Sequence, residues 1–373
     1  MIMREFLDGN EAVVKAALKA GCDFFAGYPI TPATSILLGM MQNIKGIAIE
    51  GEDELASIGM CIGASMSGKK VMTATSGPGM SLYSENLGLA IMGEVPLVIV
   101  DSQRLGPATG SATKGAQSDI QFVRWGTSAG IGVIALAPSN AEECYYLTLK
   151  AFNLAEELRC PVFVMLSKEI STTKESVDLA KYDHIKISKR KGNKDRKSYR
   201  PYSIRKSSDI PPFSEIGGKN IVRFTTSSHD EDGYLTKDKK KISDLIMHLN
   251  NKILSRRDHL GIYGKDLEKG AKTLLISYGD TTRTCNDAVL HLRKDKKKIS
   301  HLALKTVWPI QERCITKCLG GIKRVIVPEL NIGQYVSSVE RIVKKHRSTI
   351  KVESLTRVDG EPMFPEQVIK ACR

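Results

Sequence analysis

Over the first 170 residues, short apolar runs alternate with helix-length segments. The runs at 24–28, 47–50, 71–75, 97–101, 133–136 and 162–166 are β-branched or aromatic and bounded by Gly, Pro or Ser, the pattern of buried strands. Between them, segments at about 10–20, 33–42, 53–67, 80–92 and 139–157 have helical length. Strands separated by such helices predict βαβ units and a doubly wound parallel sheet. In such sheets ligands collect at the carboxyl ends of the strands.

The pattern then breaks. Residues 171–240 are rich in Lys, Ser, Pro and Gly and poor in apolar positions, which predicts a long linker partly wrapped over a neighbour. At 241–257 an apolar stripe (Ile242, Leu245, Ile246, Leu249, Ile253) predicts one amphipathic helix. From Lys272 the alternation resumes, with strands expected at 273–278, 299–304, 324–327 and 350–355 and helices at 282–293, 309–319 and 333–346. The expected division is a first domain over 1–172, a linker with one helix over 173–266, and a second, smaller α/β domain over 267–373. There is no internal repeat.

Composition narrows the class. A chain of 373 residues with 42% hydrophobic content can bury the cores of two domains. No apolar run approaches the roughly 20 residues needed to span a bilayer. Charge at Arg4 leaves no room for the apolar core of a signal peptide, so a cytoplasmic protein with no membrane partner is expected. The net charge of +14 is uneven: residues 186–206 hold ten Lys or Arg and one Asp. Most of the excess therefore sits in one stretch, and no nucleic-acid partner is expected from charge alone. The eight cysteines include no C-x-x-C pair, and the closest spacing is Cys314 with Cys318. That spacing suits neither a zinc ribbon nor a cluster-binding run, and buried free thiols in a reducing compartment are expected. All seven histidines lie at or beyond His184, so the first domain has no His for acid–base work.

Four loops at successive strand ends hold the candidate chemistry. In Tyr28-Pro29-Ile30-Thr31-Pro32, Thr31 fits a helix N-cap and Pro32 the first helical position, an anion-friendly arrangement that is equally only a well-capped helix. Glu50-Gly51-Glu52-Asp53-Glu54 precedes a helix unusually rich in small residues, among them Gly59 and Gly63. Glycine inside a helix costs about 1 kcal/mol relative to Ala and is tolerated where something approaches closely. Thr75-Ser76-Gly77-Pro78-Gly79 is neither a Walker loop nor a dinucleotide fingerprint, which argues against both enzyme classes. Arg104 beside Gly106 and Gly110 offers a two-pronged grip on a carboxylate or phosphate. Together the loops predict an anionic small-molecule site at the carboxyl edge of the first sheet. The acidic run after His229 matches no complete metal loop, and a structural role is expected there.

These blocks, in order, resemble the alpha subunit of 2-oxoacid:ferredoxin oxidoreductases, most of all the 2-oxoglutarate branch. The resemblance covers nearly the whole chain. It also takes in Gly9-Asn10-Glu11-Ala12, Gln117-Ser118-Asp119, Arg124-Trp125-Gly126-Thr127, His229-Asp230-Glu231-Asp232-Gly233, Pro328-Glu329-Leu330-Asn331-Ile332-Gly333-Gln334 and Arg357-Val358-Asp359-Gly360-Glu361-Pro362. It implies a pyrimidine-side thiamine diphosphate domain followed by a transketolase-C-terminal-like domain. It also implies that Mg²⁺ and a [4Fe–4S] cluster belong to a separate beta subunit, with no metal site in this chain.

By the same resemblance, Glu54 is the carboxylate that bonds N1′ of the cofactor's aminopyrimidine. Thr31 and Arg104 hold the substrate carboxylate, while Tyr28, Pro29, Ile30, Ser76 and Gly77 line the cofactor. Implied partners are the beta subunit, gamma and delta subunits, ferredoxin, CoA and a 2-oxoacid. The 186–206 stretch would be a solvated loop or a dock for acidic ferredoxin. Ser111–Ala116 and Ser128-Ala129-Gly130-Ile131 depart from the branch's usual runs. A branched-chain or pyruvate-type enzyme, or a non-catalytic paralogue, therefore stays open.

Overall fold

The computed structural model describes residues 4–193 and 199–373. In the first half, strands β1 (Glu5–Leu7), β2 (Phe24–Gly27), β3 (Ile47–Glu50), β4 (Val71–Thr75), β5 (Leu97–Leu105), β6 (Ser111–Gly115), β7 (Ile134–Leu136), β8 (Pro161–Ser167) and β9 (Glu175–Val177) follow one another. Helices α1 (Gly9–Lys19), α2 (Thr34–Asn43), α3 (Glu54–Met66), α4 (Gly77–Met92), α5 (Ile120–Trp125), α6 (Ala141–Leu158) and α7 (Lys168–Thr172) alternate with them. The second half holds α8 (Lys239–Leu254), β10 (Tyr263–Asp266), β11 (Thr273–Tyr278), α9 (Thr281–Lys294), β12 (Ile299–Leu304) and β13 (Thr306–Trp308). It ends with α10 (Glu312–Lys317), β14 (Arg324–Glu329), α11 (Val336–His346), β15 (Lys351–Thr356) and α12 (Pro365–Cys372).

The large sheet has the order β13-β7-β8-β5-β4-β2-β3, with β6 hanging on β5. All pairs from β7 to β3 are parallel, while β13 and β6 join antiparallel at its margins. Side chains alternate across it. Phe25, Val98 and Val100 pack with α1, α2 and α6 on one face. Ala26, Leu97 and Ile99 pack with α3 and α4 on the other, in a cluster that runs on into the second sheet. This is the doubly wound α/β expectation. The second sheet, β10-β12-β11-β14-β15, is smaller and also mostly parallel. No helix among the described residues is long and apolar enough to cross a membrane.

Helix starts follow local chemistry. Asp8 and Glu11 form a reciprocal cap on α1, each side chain accepting from the other's main-chain N–H at 2.8 and 2.9 Å. Asp53 caps α3 and Asn140 caps α6. The expected Thr31 cap is overturned. Residues 31–33 make a turn, Thr34 donates to the Ile30 carbonyl, and α2 starts at Thr34 with no side-chain cap. Likewise α4 begins at Gly77, three residues before the expected start, because Ser76 is already extended and Pro78 occupies the first turn. The close approach expected at Gly59 and Gly63 is not met within this chain. A Cβ at either would touch nothing within 4 Å.

The linker is less free than its composition suggests. Arg190 lies in the basic stretch, yet its side chain is largely buried and forms a forked ion pair with Glu156 at 2.7 and 2.9 Å. Arg159 is buried as well, and its Nη1 donates to the carbonyls of Pro201, Pro211 and Pro212. Residues 194–198, the middle of the basic stretch, lie outside the described residues. His229 sets both ring nitrogens against main-chain carbonyls, of Asp230 and Met92, which fills its polar valence structurally.

Candidate active site

The neighbouring parallel strands β5, β4, β2 and β3 end at one edge. That edge therefore collects the loops after Glu50, Gly27, Thr75 and Leu105, which are the four singled out in the sequence. The first residue of α3, Glu54, is only 5% exposed. Its side chain lies over the start of α4. A Cβ added at Gly79 would sit 2.6 Å from Glu54 Cγ, 2.8 Å from Glu54 Oε1 and 1.9 Å from Thr75 Oγ1. Glycine at 79 is thus what lets the carboxyl group rest there. Placing an acid at the head of a helix also suits its charge.

Tyr28, Pro29 and Ile30 follow β2, with Tyr28 exposed and the next two partly so. Their loop is anchored from below by Asn10, which is fully buried and donates to Pro32 O and Ser35 Oγ, both at 2.8 Å. Arg104 is 6% exposed, and its Nη1 donates to the Thr31 carbonyl at 2.7 Å. The structure therefore brings the expected carboxylate pair together, although Thr31 stands in a turn rather than at a cap. Ser76 is fully buried, and its Oγ has no hydrogen-bond partner among the described residues. Gly77 opens α4 and lies against Asp119.

A cavity of about 490 Å³ opens beside this edge. Gly77, Arg104 and Asp119 of the first half line it together with Asn331, Ile332 and Gln334 of the second. Gln117 holds the two halves in register. It donates to Tyr278 O at 2.9 Å, accepts from Leu330 N–H at 3.1 Å, and its carbonyl accepts from Asn331 Nδ2 at 2.8 Å. Trp308 Nε1 adds a bond to Ile120 O at 2.8 Å.

The sequence reading missed the roles of Asn10, Asp101, Gln117 and Asp119. Only the blocks Gly9–Ala12 and Gln117–Asp119 pointed at three of them, with no chemistry attached. Asp101 sat inside a strand and carried no signal. It is fully buried, opposes Thr75 across the sheet, and faces Asp119.

The atoms at this edge suit a thiamine-type cofactor. A buried carboxylate seated over Gly79, an orphaned Ser76 hydroxyl and a glycine-lined helix start offer one acceptor and several main-chain groups to a polar ring. These fit the aminopyrimidine end of the cofactor.

Comparison with known proteins agrees. Residues 15–248 match the family described as "Pyruvate flavodoxin/ferredoxin oxidoreductase, thiamine diP-bdg". Residues 271–368 match "Pyruvate:ferredoxin oxidoreductase core domain II". The chain is 41% identical to 2-oxoglutarate synthase subunit KorA of Methanocaldococcus jannaschii, covering 98% of each. It is 29% identical to the alpha subunit of 2-oxoacid:ferredoxin oxidoreductase 1 of Sulfurisphaera tokodaii, over 99% of this chain and 61% of that one. Among solved structures, 2-oxoglutarate:ferredoxin oxidoreductase from Magnetococcus marinus, with 2-oxoglutarate, coenzyme A and succinyl-CoA bound, matches at TM-score 0.91 and 29% identity. The match covers 99% of this chain and 64% of that longer one. A split-gene transketolase matches at TM-score 0.55 and 12% identity, a likeness of fold alone.

Proposed function

The chain belongs to the pyruvate flavodoxin/ferredoxin oxidoreductase family, and we propose that it is the alpha subunit of a 2-oxoglutarate:ferredoxin oxidoreductase. With a beta subunit it oxidatively decarboxylates 2-oxoglutarate, passes two electrons to ferredoxin and yields succinyl-CoA and CO₂. The names of its relatives support that substrate. Gamma and delta subunits are further candidates for the assembly. Mg²⁺ and the [4Fe–4S] cluster are assigned to the beta subunit.

One observation carries the reading. A buried glutamate rests over the start of α4 at the same sheet edge where Arg104 meets Thr31. Thiamine diphosphate, when bound, supplies the carbanion chemistry, and the protein orients and polarises it. Glu54, buried over Gly79, would offer its carboxyl group to the ring nitrogen N1′, shielded from water, where a hydrogen bond is stronger than in solvent. Tyr28, Pro29 and Ile30 would wall the bound cofactor, and the main chain at Ser76 and Gly77 would offer it polar groups. Arg104 and Thr31 hold the substrate carboxylate, the guanidinium supplying charge and the hydroxyl a further donor.

The test is anaerobic co-expression with the beta subunit. CoA-dependent reduction of a low-potential dye is then assayed with 2-oxoglutarate, pyruvate and 2-oxoisovalerate. Preference for 2-oxoglutarate supports the reading. Preference for another acid moves the substrate within the family, and reduction with none removes the catalytic role.

A further inference from the structure

Several buried polar groups converge at the ends of β4 and β5 without partners. Among the described residues, Ser76 Oγ, Arg104 Nε, Asp119 Oδ2 and both carboxyl oxygens of Asp101 have none, and Asp101 faces Asp119. Asp119 is held in place through its main chain, whose N–H donates to Gln103 Oε1 at 3.2 Å. Its carboxyl oxygens approach the head of α4, where a Cβ at Gly77 would sit 3.1 and 3.2 Å from them. Arg104, only 6% exposed, and Asp119 both line the 490 Å³ cavity. A buried cation with a free donor, beside an acid pair that opens onto a cavity, is an arrangement awaiting an anion.

Two carboxyl groups buried face to face do not both ionise. Burial, and then the charge of Asp119, push Asp101 well above the usual carboxylate range. Burial raises Asp119 too, but only to about 6, because Asp101 hydrogen-bonds to it and Arg104 attracts its charge. The pair thus titrates as a unit that holds one proton and one charge between its two steps, and Arg104 favours the charged form of Asp119. Among the described residues, Arg104 on β5 acts on Asp119 and Tyr83 on α4 lies near Asp101, while Glu54 at the head of α3 lies beyond Tyr83 and Gly79. The Tyr83 hydroxyl is already bonded to Thr73 Oγ1 at 2.7 Å.

A carboxylate entering beside Arg104 also meets the charge on Asp119. We propose that Asp119 is a further carboxylate-binding residue of the site, beside Arg104 and Thr31, with Asp101 as its positioning residue, and that the 2-oxoacid enters together with one proton. The proton goes to Asp119, which then presents an O–H donor to the incoming carboxylate. Arg104, the acid pair and the one carboxylate bound beside Arg104 together carry no net charge before or after binding. No bond other than the transferred O–H is made or broken. This inference rests on the 2-oxoacid reading given above.

Two measurements on the intact complex test it. Infrared titration without substrate should show, at neutral pH, a neutral-carboxyl component that appears in the difference spectrum between wild type and Asp101→Asn, which cancels other buried acids such as Asp280. The KM for 2-oxoglutarate should rise up to about tenfold per pH unit above about pH 6, with kcat little changed. Asp119→Asn, which is neutral and still a donor, should flatten that rise, whereas a merely structural role would leave the slope intact. Absence of that component, or an unchanged KM slope in Asp119→Asn while the wild type turns over, overturns the inference alone. No turnover of any 2-oxoacid overturns the substrate reading and this inference with it.

Discussion

Arg104 reaches across the sheet edge to the main chain of Thr31, its Nη1 donating to the Thr31 carbonyl at 2.7 Å. The loops after β5 and β2, distant in sequence, are thereby fixed to one another at the point where a substrate carboxylate would sit. Replacing Arg104 by Lys keeps the charge but loses the fork. Losing one charge-assisted bond of roughly 1.5–3 kcal/mol should raise KM about ten- to a hundredfold, with a smaller change in kcat. Steady-state kinetics with 2-oxoglutarate reads both. An unchanged KM would remove Arg104 from the substrate site.

Gly79 carries a second prediction. Its missing Cβ is the space that Glu54 and Thr75 occupy. Gly79→Ala should cost roughly 1–3 kcal/mol through overpacking and displace Glu54, so that activity falls much further than stability. Gly88→Ala on the same helix is the control, because a Cβ there meets nothing within 4 Å. It should be neutral or stabilise by up to about 1 kcal/mol. Thermal melts and dye reduction on both variants separate the two effects.

Much of the fold was legible, because alternating short strands and helices have few other solutions. Strands β2, β3 and β4 fall within a residue of expectation for that reason. The short strand β1 was not visible because its pairing partner β9 lies far along the chain, and β6 was not visible because its polar run pairs with the end of β5 through an irregular register. The α8 helix shows where polarity misleads. Its buried face includes His248 and Lys252, which a hydrophobic stripe does not reveal, because Glu94 lies opposite them. The site was legible where an unusual residue type stood at a strand end, as at Glu54 and Arg104. It was illegible where an ordinary strand position hid a buried acid, as at Asp101.

The Glu94 cluster fastens the linker helix to the first domain. Lys252 Nζ donates to Glu94 Oε2 and to Arg159 O, both at 2.8 Å, in a fully buried setting. Burial alone would raise the Glu94 pKa, but Lys252, then His248 and Arg159, hold it well below the usual carboxylate range. Removing the cation strands a buried charge, so Lys252→Met should destabilise by roughly 3–5 kcal/mol. The double variant Glu94→Gln/Lys252→Met should recover part of that loss. The stability that Glu94 contributes is present above its unfolded pKa and declines only as pH falls through the depressed folded value. Melting curves between neutral and acid pH check both points.

Asp280 predicts the opposite pH response. Burial and the charge of Glu169 raise its carboxyl from 3.8 to about 7, against a lowering bond from Ser167. A raised folded pKa means that stability is greatest below the unfolded value and is lost as pH rises toward 7. Asp280→Asn should therefore raise the melting temperature at alkaline pH and have little or opposite effect in acid. Equal shifts at both extremes would show that the carboxyl is ionised throughout.

The central claim is that this chain supplies the carboxylate that activates the cofactor. The most direct measurement is the exchange rate of the thiamine diphosphate C2 proton for deuterium. It would be followed by NMR in the assembled complex with wild-type chain and with Glu54→Gln. The account predicts that Glu54→Gln leaves assembly and cofactor binding in place while slowing exchange by two or more orders of magnitude, about 10²-fold being the low end for lost proton-transfer catalysis. Exchange at the wild-type rate in that variant would contradict the assignment of Glu54.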